Sequence, residues 1–172
     1  MTPYIGAPTG VITAAGSRFA YREVGSRGGT PLVVLNHWGA VLDNFDPRIF
    51  DGLATRHHVI AVNYRGIGAS GGSTFLSIDE TARDAIALIR ALGRSTVDLM
   101  GFSLGGKVAQ DMVLKAPDLV RKLILTMFAP GELQSTYFLE RRLPGVWTYD
   151  SLSRTSPDAN PLARGHAASY LN

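Results

Sequence analysis

Ser103 lies in the stretch Gly101-Phe102-Ser103-Leu104-Gly105-Gly106, and the residue types around it suit nucleophilic chemistry. An apolar run, Val97 to Met100, leads in, and an amphipathic stretch from Lys107 follows. That pattern reads as a strand, a very tight turn and a helix. A serine at such a turn needs small neighbours, because the backbone doubles back on itself. Gly101 and Gly105 leave room for the reversal, and Gly106 lets the new helix pack closely on the sheet. The Ser103 hydroxyl would then stand clear of the sheet. The Leu104 N–H would fall at a helix N-terminus, where unpaired donors and the helix dipole favour an anion. Such a set is suited to attack on a carbonyl. The same letters would also fit a plain turn with an incidental serine. The flanking strand and helix patterns are the context that the nucleophilic reading requires.

A serine is a weak nucleophile until a base takes its proton, and that base is usually a histidine held by a carboxylate. The chain has four histidines. His57 and His58 open a strand at 59–64, which puts them at the opposite end of a sheet, as exposed loop residues. His37 closes a strand and is read as a shaper of its turn. His166 remains, with Asp150 and Asp158 between it and Ser103, so the order serine, acid, base is available. Asp150 directly follows the strand-like Val146–Tyr149, and it stands with His166 as the candidate acid and base. No strand precedes His166 to position it. It is therefore expected beyond hydrogen-bond reach of Ser103, more than about 3.2 Å away. On the other reading, Asp150, Asp158 and His166 are solvated loop residues. Gly66-Ile67-Gly68-Ala69-Ser70-Gly71 fits a dinucleotide fingerprint. However, the next helix opens only at the capping box Ser77-Ile78-Asp79-Glu80, too late to hold a pyrophosphate. No His or carboxylate pair has metal-ligand spacing on one face. Neither a metal nor any other cofactor is expected.

The elements that position these residues alternate. Val11–Ala14 and Arg18–Val24 read as two short strands around a Gly-Ser turn. Leu32–His37 and Val59–Tyr64 are apolar, β-branched runs, as in strands buried on both faces. A helix starts near Asp46-Pro47, with Asp as N-cap and Pro in the first turn. A second helix spans 78–92 and stops at Gly93, and a third, 104–115, ends at Ala116-Pro117. Lys122–Met127 is one more strand. Strands that alternate with helices from 32 to 127 predict a mostly parallel, doubly wound α/β sheet with helices on both faces. Functional groups should then collect at the carboxyl ends of the strands. Residues 1–127 form the core on this reading. Residues 128–172 form an irregular tail of the same domain, with Phe138-Leu139 and Val146–Tyr149 as candidate short elements.

Composition narrows the function classes. The 172 residues are 45% hydrophobic and 18% charged, which is ordinary for a soluble globular domain. The net charge of +3 is too slight and dispersed to imply nucleic acid. No cysteine is present, so disulfide and thiolate chemistry are excluded. There is no run of membrane-span length and no signal-peptide pattern at Met1-Thr2-Pro3-Tyr4, so a cytoplasmic location is expected, with no membrane partner.

Together these motifs resemble the α/β-hydrolase superfamily, in particular its bacterial esterase-like and haloperoxidase-like members. Leu35-Asn36-His37-Trp38-Gly39 is similar to the strand that ends in the oxyanion turn. Asn63-Tyr64-Arg65-Gly66-Ile67-Gly68-Ala69-Ser70 is similar to the Asp-x-Arg-Gly-x-Gly-x-Ser loop, with Asn63 in place of the Asp. Gly101–Gly106 matches the nucleophile elbow. The likeness covers residues 10–127. It implies a serine hydrolase for small-molecule carboxylic esters, with Ser103 as nucleophile. The N–H groups of Leu104 and of Trp38 or Gly39 would form the oxyanion hole. Trp38 replaces the family's glycine after the histidine, so the choice between the last two stays open. The serine argues against the aspartate-nucleophile chemistries of the superfamily and leaves a cofactor-free perhydrolase open. Family members continue with a cap and two further strands that deliver the acid and the histidine. This chain is therefore expected to be a C-terminally truncated core without the cap and last strands. The alternative function is a degenerate, non-catalytic core, dimerising through an unprotected sheet edge at 122–127.

Overall fold

The computed structural model describes residues 2–126 together with the backbone of two further strands, Thr136–Leu143 and Val146–Ser151. Among the described residues, eight strands form one sheet: β1 (Thr9–Ala14), β2 (Ser17–Val24), β3 (Leu32–Leu35), β4 (Val59–Val62), β5 (Val97–Phe102), β6 (Val120–Thr126), β7 (Thr136–Leu143) and β8 (Val146–Ser151). Their spatial order is β1-β2-β4-β3-β5-β6-β7-β8. The central run β4-β3-β5-β6 is parallel, as the alternation of strands and helices predicts. Antiparallel pairs flank it on both sides. Among the described residues, three α-helices cover the faces: α1 (Pro47–Ala54), α2 (Ile78–Ala91) and α3 (Leu104–Lys115).

Strand periodicity assigns the two cores. Leu32 and Val34 face one layer with Phe50 and Ala54 of α1, while Val33 and Leu35 face the other with Ile89 of α2 and Met112 of α3. The alternation follows from the two-residue repeat of a strand. The β1–β2 hairpin closes through Ala15 and Gly16 at φ 45° and 71°. Both central residues have positive φ, so the turn twists with the strands.

Helix boundaries follow the sequence signals. The Asp46 carboxylate accepts from Arg48 N at 2.9 Å, and Pro47 opens α1. Ser77 Oγ accepts from Glu80 N at 3.1 Å, while Glu80 Oε2 accepts from Leu76 N at 3.0 Å, one residue before the expected return bond. Gly93 stops α2 at φ 73°. The Arg94 N–H donates to Ile89 O and the Gly93 N–H to Arg90 O, so the last carbonyls are satisfied.

Two expectations change on the β6 side. The segment expected as an irregular tail carries β7 and β8, and both candidate short elements lie inside these strands. The edge expected at 122–127 is not free, because β7 pairs with β6 from Lys122↔Glu140 to Thr126↔Thr136. Pairing with the chain's own next strand satisfies the N–H and C=O groups that a dimer would have used. The proposed dimerisation edge therefore does not exist at β6. His166 and Asp158 lie outside the described residues, and the distance from Ser103 to His166 lies outside them with it. Asp150 lies in β8, opposite Phe138 of β7.

Candidate active site

Ser103 is the single residue between β5 and α3, with φ 54° and ψ −113°. These dihedrals are strained for a residue with a Cβ and cost of order 1–3 kcal/mol. The surroundings hold them. The Ser103 N–H donates to Thr126 O at 3.0 Å, and Ser103 O accepts from Gly106 N at 2.9 Å. Gly101 and Gly105 leave the room expected of them. A Cβ on Gly101 would stand 2.6 Å from Gly106 Cα, and one on Gly105 would stand 2.7 Å from the Leu35 carbonyl carbon and 2.9 Å from Asn36 O. Only glycine lets α3 start this close to β3 and β5. The Ser103 side chain caps no N–H of its helix, which leaves the hydroxyl available. Leu104, as the first residue of α3, has no helical carbonyl one turn back to receive its N–H.

The turn expected to supply oxyanion donors follows β3. The His37 N–H donates to Asn36 Oδ1 at 2.8 Å, and Asn36 Nδ2 donates to Val41 O at 3.3 Å. The Ala40 N–H closes the turn on His37 O at 3.3 Å, with Gly39 at φ 68° in the third position. That left-handed residue is what a type II turn requires. Among the described residues, nothing accepts from the Trp38 or Gly39 N–H. The His37 ring packs edge-on against Phe102 at 5.5 Å, and its Nδ1 lies 3.1 Å from Trp38 O. The turn thus abuts the residue before Ser103. Trp38 is 71% exposed, and its indole stands edge-to-face on Phe75.

The glycine-rich loop after β4 supports its neighbours. Arg65 pairs through Nε and Nη2 with the buried Asp84 carboxylate of α2. The pairing holds the Arg65 guanidinium above its ordinary range, with the Asp84 hydrogen bond as the main cause. The Gly71 N–H donates to Arg18 O, and the Gly66 N–H to Gly71 O, so these donors serve the loop and β2. Ser70 Oγ accepts from Ala20 N at 2.9 Å. Asn63 is buried, and its amide lies where a Cβ on Gly68 would fall. That position gives Asn63 a part in packing the loop.

Of the histidines, His57 is exposed, but His58 is 2% exposed and faces Glu23 at 3.5 Å. The expectation of two exposed loop histidines is corrected at His58. The His58 carbonyl accepts from Leu32 N at 2.8 Å, which ties its backbone to the entry of the sheet, while its buried ring faces Glu23 of β2. Burial pushes its pKa below the ordinary value, against the opposing pull of Glu23. Among the described residues no group of three or more His, Cys, Asp or Glu could hold a metal ion, and no helix is long and apolar enough to cross a membrane. Sequence reasoning did not find Tyr64, which donates from a buried hydroxyl to Asn36 O at 2.8 Å. A tyrosine ending a fully buried strand was the only available signal, since a buried phenol needs an acceptor.

A strand, a strained serine and a glycine-lined helix start stand beside a turn whose Trp38 and Gly39 N–H groups have no acceptor among the described residues. The chain belongs to the alpha/beta hydrolase fold family, whose model matches residues 30–163. It is 33% identical over 122 residues to a non-heme chloroperoxidase of Streptomyces lividans, covering 70% of this chain and 44% of that protein. It is 34% identical over 110 residues to a pimeloyl-[acyl-carrier protein] methyl ester esterase of Pectobacterium carotovorum, covering 64% of this chain and 41% of that protein. Among solved structures, an alpha/beta hydrolase fold protein from Chitinophaga pinensis matches with a TM-score of 0.73 at 38% identity, over 75% of this chain and 47% of that one. The chain spans less than half the length of these relatives.

Proposed function

We propose that the protein is a serine hydrolase acting on carboxylic esters, with Ser103 as nucleophile. The observation that carries this reading is the Ser103 backbone, held at φ 54° and ψ −113° at the N-terminus of α3. Strain of this kind persists only where the surroundings over-determine it, and such sites concentrate at functional positions. Ester cleavage has further support from the relative named as a methyl ester esterase.

In the proposed reaction, Ser103 Oγ forms a bond to the ester carbonyl carbon as its proton passes to a base. The carbonyl oxygen becomes an oxyanion, received by the Leu104 N–H and by the N–H of Trp38 or Gly39. The carbon–oxygen bond to the alcohol then breaks, and the base returns the proton to the leaving alkoxide. Water, deprotonated by the same base, releases the acid and restores Ser103. Losing one oxyanion donor in such a site costs about 10²–10³ in rate. The chain order offers Asp150 and His166 as acid and base, and the His166→Ala variant below tests the expectation that His166 stays out of reach of Ser103.

The test combines a fluorophosphonate probe with p-nitrophenyl acetate hydrolysis by wild type, Ser103→Ala and His166→Ala. Labelling at Ser103, with turnover abolished in both variants, is expected of the complete site. Labelling and slow turnover lost only in Ser103→Ala would remove His166 from the mechanism. Equal background rates in all three, without labelling, would overturn the hydrolase reading in favour of a non-catalytic core.

A further inference from the structure

Three loops meet at one backbone atom, the Asn36 carbonyl oxygen. The Tyr64 hydroxyl, from the exit of β4, donates to it at 2.8 Å. The same oxygen lies 2.9 Å from where a Cβ on Gly105 would stand, so it rests against the first turn of α3, two residues after Ser103. Asn36 itself opens the oxyanion turn, and its side chain occupies the His37 N–H. Tyr64 is 4% exposed, so its hydroxyl has little water to bond instead. Its ring also stands edge-to-face on Phe75 at 5.6 Å, and Phe75 in turn holds Trp38 at 5.5 Å. Tyr64 therefore grips the oxyanion turn at both ends: by a hydrogen bond at Asn36 and through an aromatic relay at Trp38.

We infer that Tyr64 is a positioning residue, whose hydroxyl fixes the spacing between the Trp38–Gly39 N–H groups and the Ser103–Leu104 elbow. This rests on the hydrolase reading above. The physical argument is the geometry of transition-state stabilisation. Donors must lie about 2.7–3.1 Å from the place where the oxyanion develops, so small displacements reduce the rate. The Asn36–His37 peptide is the hinge between β3 and the turn. Without the Tyr64 bond, its buried carbonyl has lost its phenolic donor, and the turn can rotate away from α3. Burial raises the Tyr64 pKa, which keeps the hydroxyl a donor throughout any working pH range. Ground-state substrate binding does not use these N–H groups fully, so the loss should appear in kcat and leave KM in place.

Tyr64→Phe keeps the ring and removes only the donor. Trp38 reports on the turn directly, because Trp147 is the only other tryptophan and can be replaced by Phe. In the Trp147→Phe background, Tyr64→Phe is expected to lower kcat for p-nitrophenyl acetate about 10-fold with KM unchanged. It should slow fluorophosphonate labelling by a similar factor and lower the fluorescence anisotropy of Trp38. Asn36→Ala loosens the same turn from its other bond and serves as the second variant if Tyr64→Phe does not fold. Unchanged kcat and anisotropy in the folded variants would overturn the inference. So would a loss shared equally between kcat and KM, the mark of a general loosening. If the parent protein itself is not labelled, the hydrolase reading fails. The Trp38 anisotropy then decides by itself whether Tyr64 holds the turn.

Discussion

Replacing Ser103 by glycine should stabilise the fold relative to replacing it by alanine, although glycine is ordinarily the poorer residue. Alanine keeps the Cβ and therefore the strain of φ 54° and ψ −113°. Glycine has no Cβ and relieves it. The strain is of order 1–3 kcal/mol. Against it stands the extra unfolded-state freedom of glycine, roughly 0.5–1 kcal/mol. The difference favours glycine by about 1 kcal/mol. Neither substitution loses a helix cap, because the Ser103 side chain makes none. The two variants thus differ only in the Cβ. For a chain of this size, a difference of about 1 kcal/mol moves Tm by about 2–4 °C. The assay is urea denaturation of both variants at one pH, with m checked for equality so that the midpoints report stability. Both variants should be inactive, so any gain in stability is separated from catalysis. A Ser103→Gly midpoint at or below that of Ser103→Ala would refute the claim that the elbow is strained and held by its surroundings.

Two further outcomes follow from the same geometry and from the far end of the sheet. Gly105→Ala places a methyl group 2.7 Å from the Leu35 carbonyl carbon, and backbone gives way less easily than a side chain. A loss of about 1–3 kcal/mol, read by thermal melting, is expected even with Ser103 intact. For His58, the folded pKa lies below its ordinary value because burial favours the neutral ring. The unfolded chain then binds more protons than the folded one near pH 6, so stability rises with pH there. This contribution is fully present above about pH 6.5, the ordinary histidine value. It is lost as pH falls from there through the depressed folded pKa. Urea midpoints at pH 7.5 and 5.5 should diverge in wild type and converge in His58→Gln; an equal pH dependence in both would sink the assignment.

The elbow was legible because its chemistry is bound to local backbone. A serine flanked by glycines at a strand-to-helix reversal implies positive φ, and Ser103 has it. The helix starts at Pro47 and Ile78 were legible for the same reason, since Asp46 and Ser77 act within a single turn. What escaped depends on partners distant in the chain. Arg65 and Asp84 meet across nineteen residues, and Tyr64 and Asn36 across twenty-eight. His57 and His58 look equivalent in sequence, yet only His58 faces Glu23, a contact made through the β2–β4 pairing. Glu140, Arg141 and Arg142 interrupt any apolar run in 136–143, so β7 follows from its pairing with β6 rather than from its own pattern.

The position of the site follows from the order in which the strands were laid down. From β3 the chain crosses through α1 to β4 on one side, then returns through α2 to β5 on the other. The connection that leaves β3 runs through α1 to β4 and the one that leaves β5 runs through α3 to β6, so they depart in opposite directions, with α1 and α3 on opposite faces. A crevice forms where connections diverge in this way, and ligands of open α/β sheets bind there. At these strand ends lie Asn36 to Gly39 after β3 and Ser103 after β5, on strands paired through Leu35↔Gly101. The proposed nucleophile and oxyanion donors thus follow adjacent strands, and their relative placement depends on one register and one close helix approach. On the proposed reading, the glycines at 101 and 105 and the tyrosine at 64 therefore matter alongside the serine. They fix the distance between two loops that no hydrogen bond between β3 and β5 extends far enough to set.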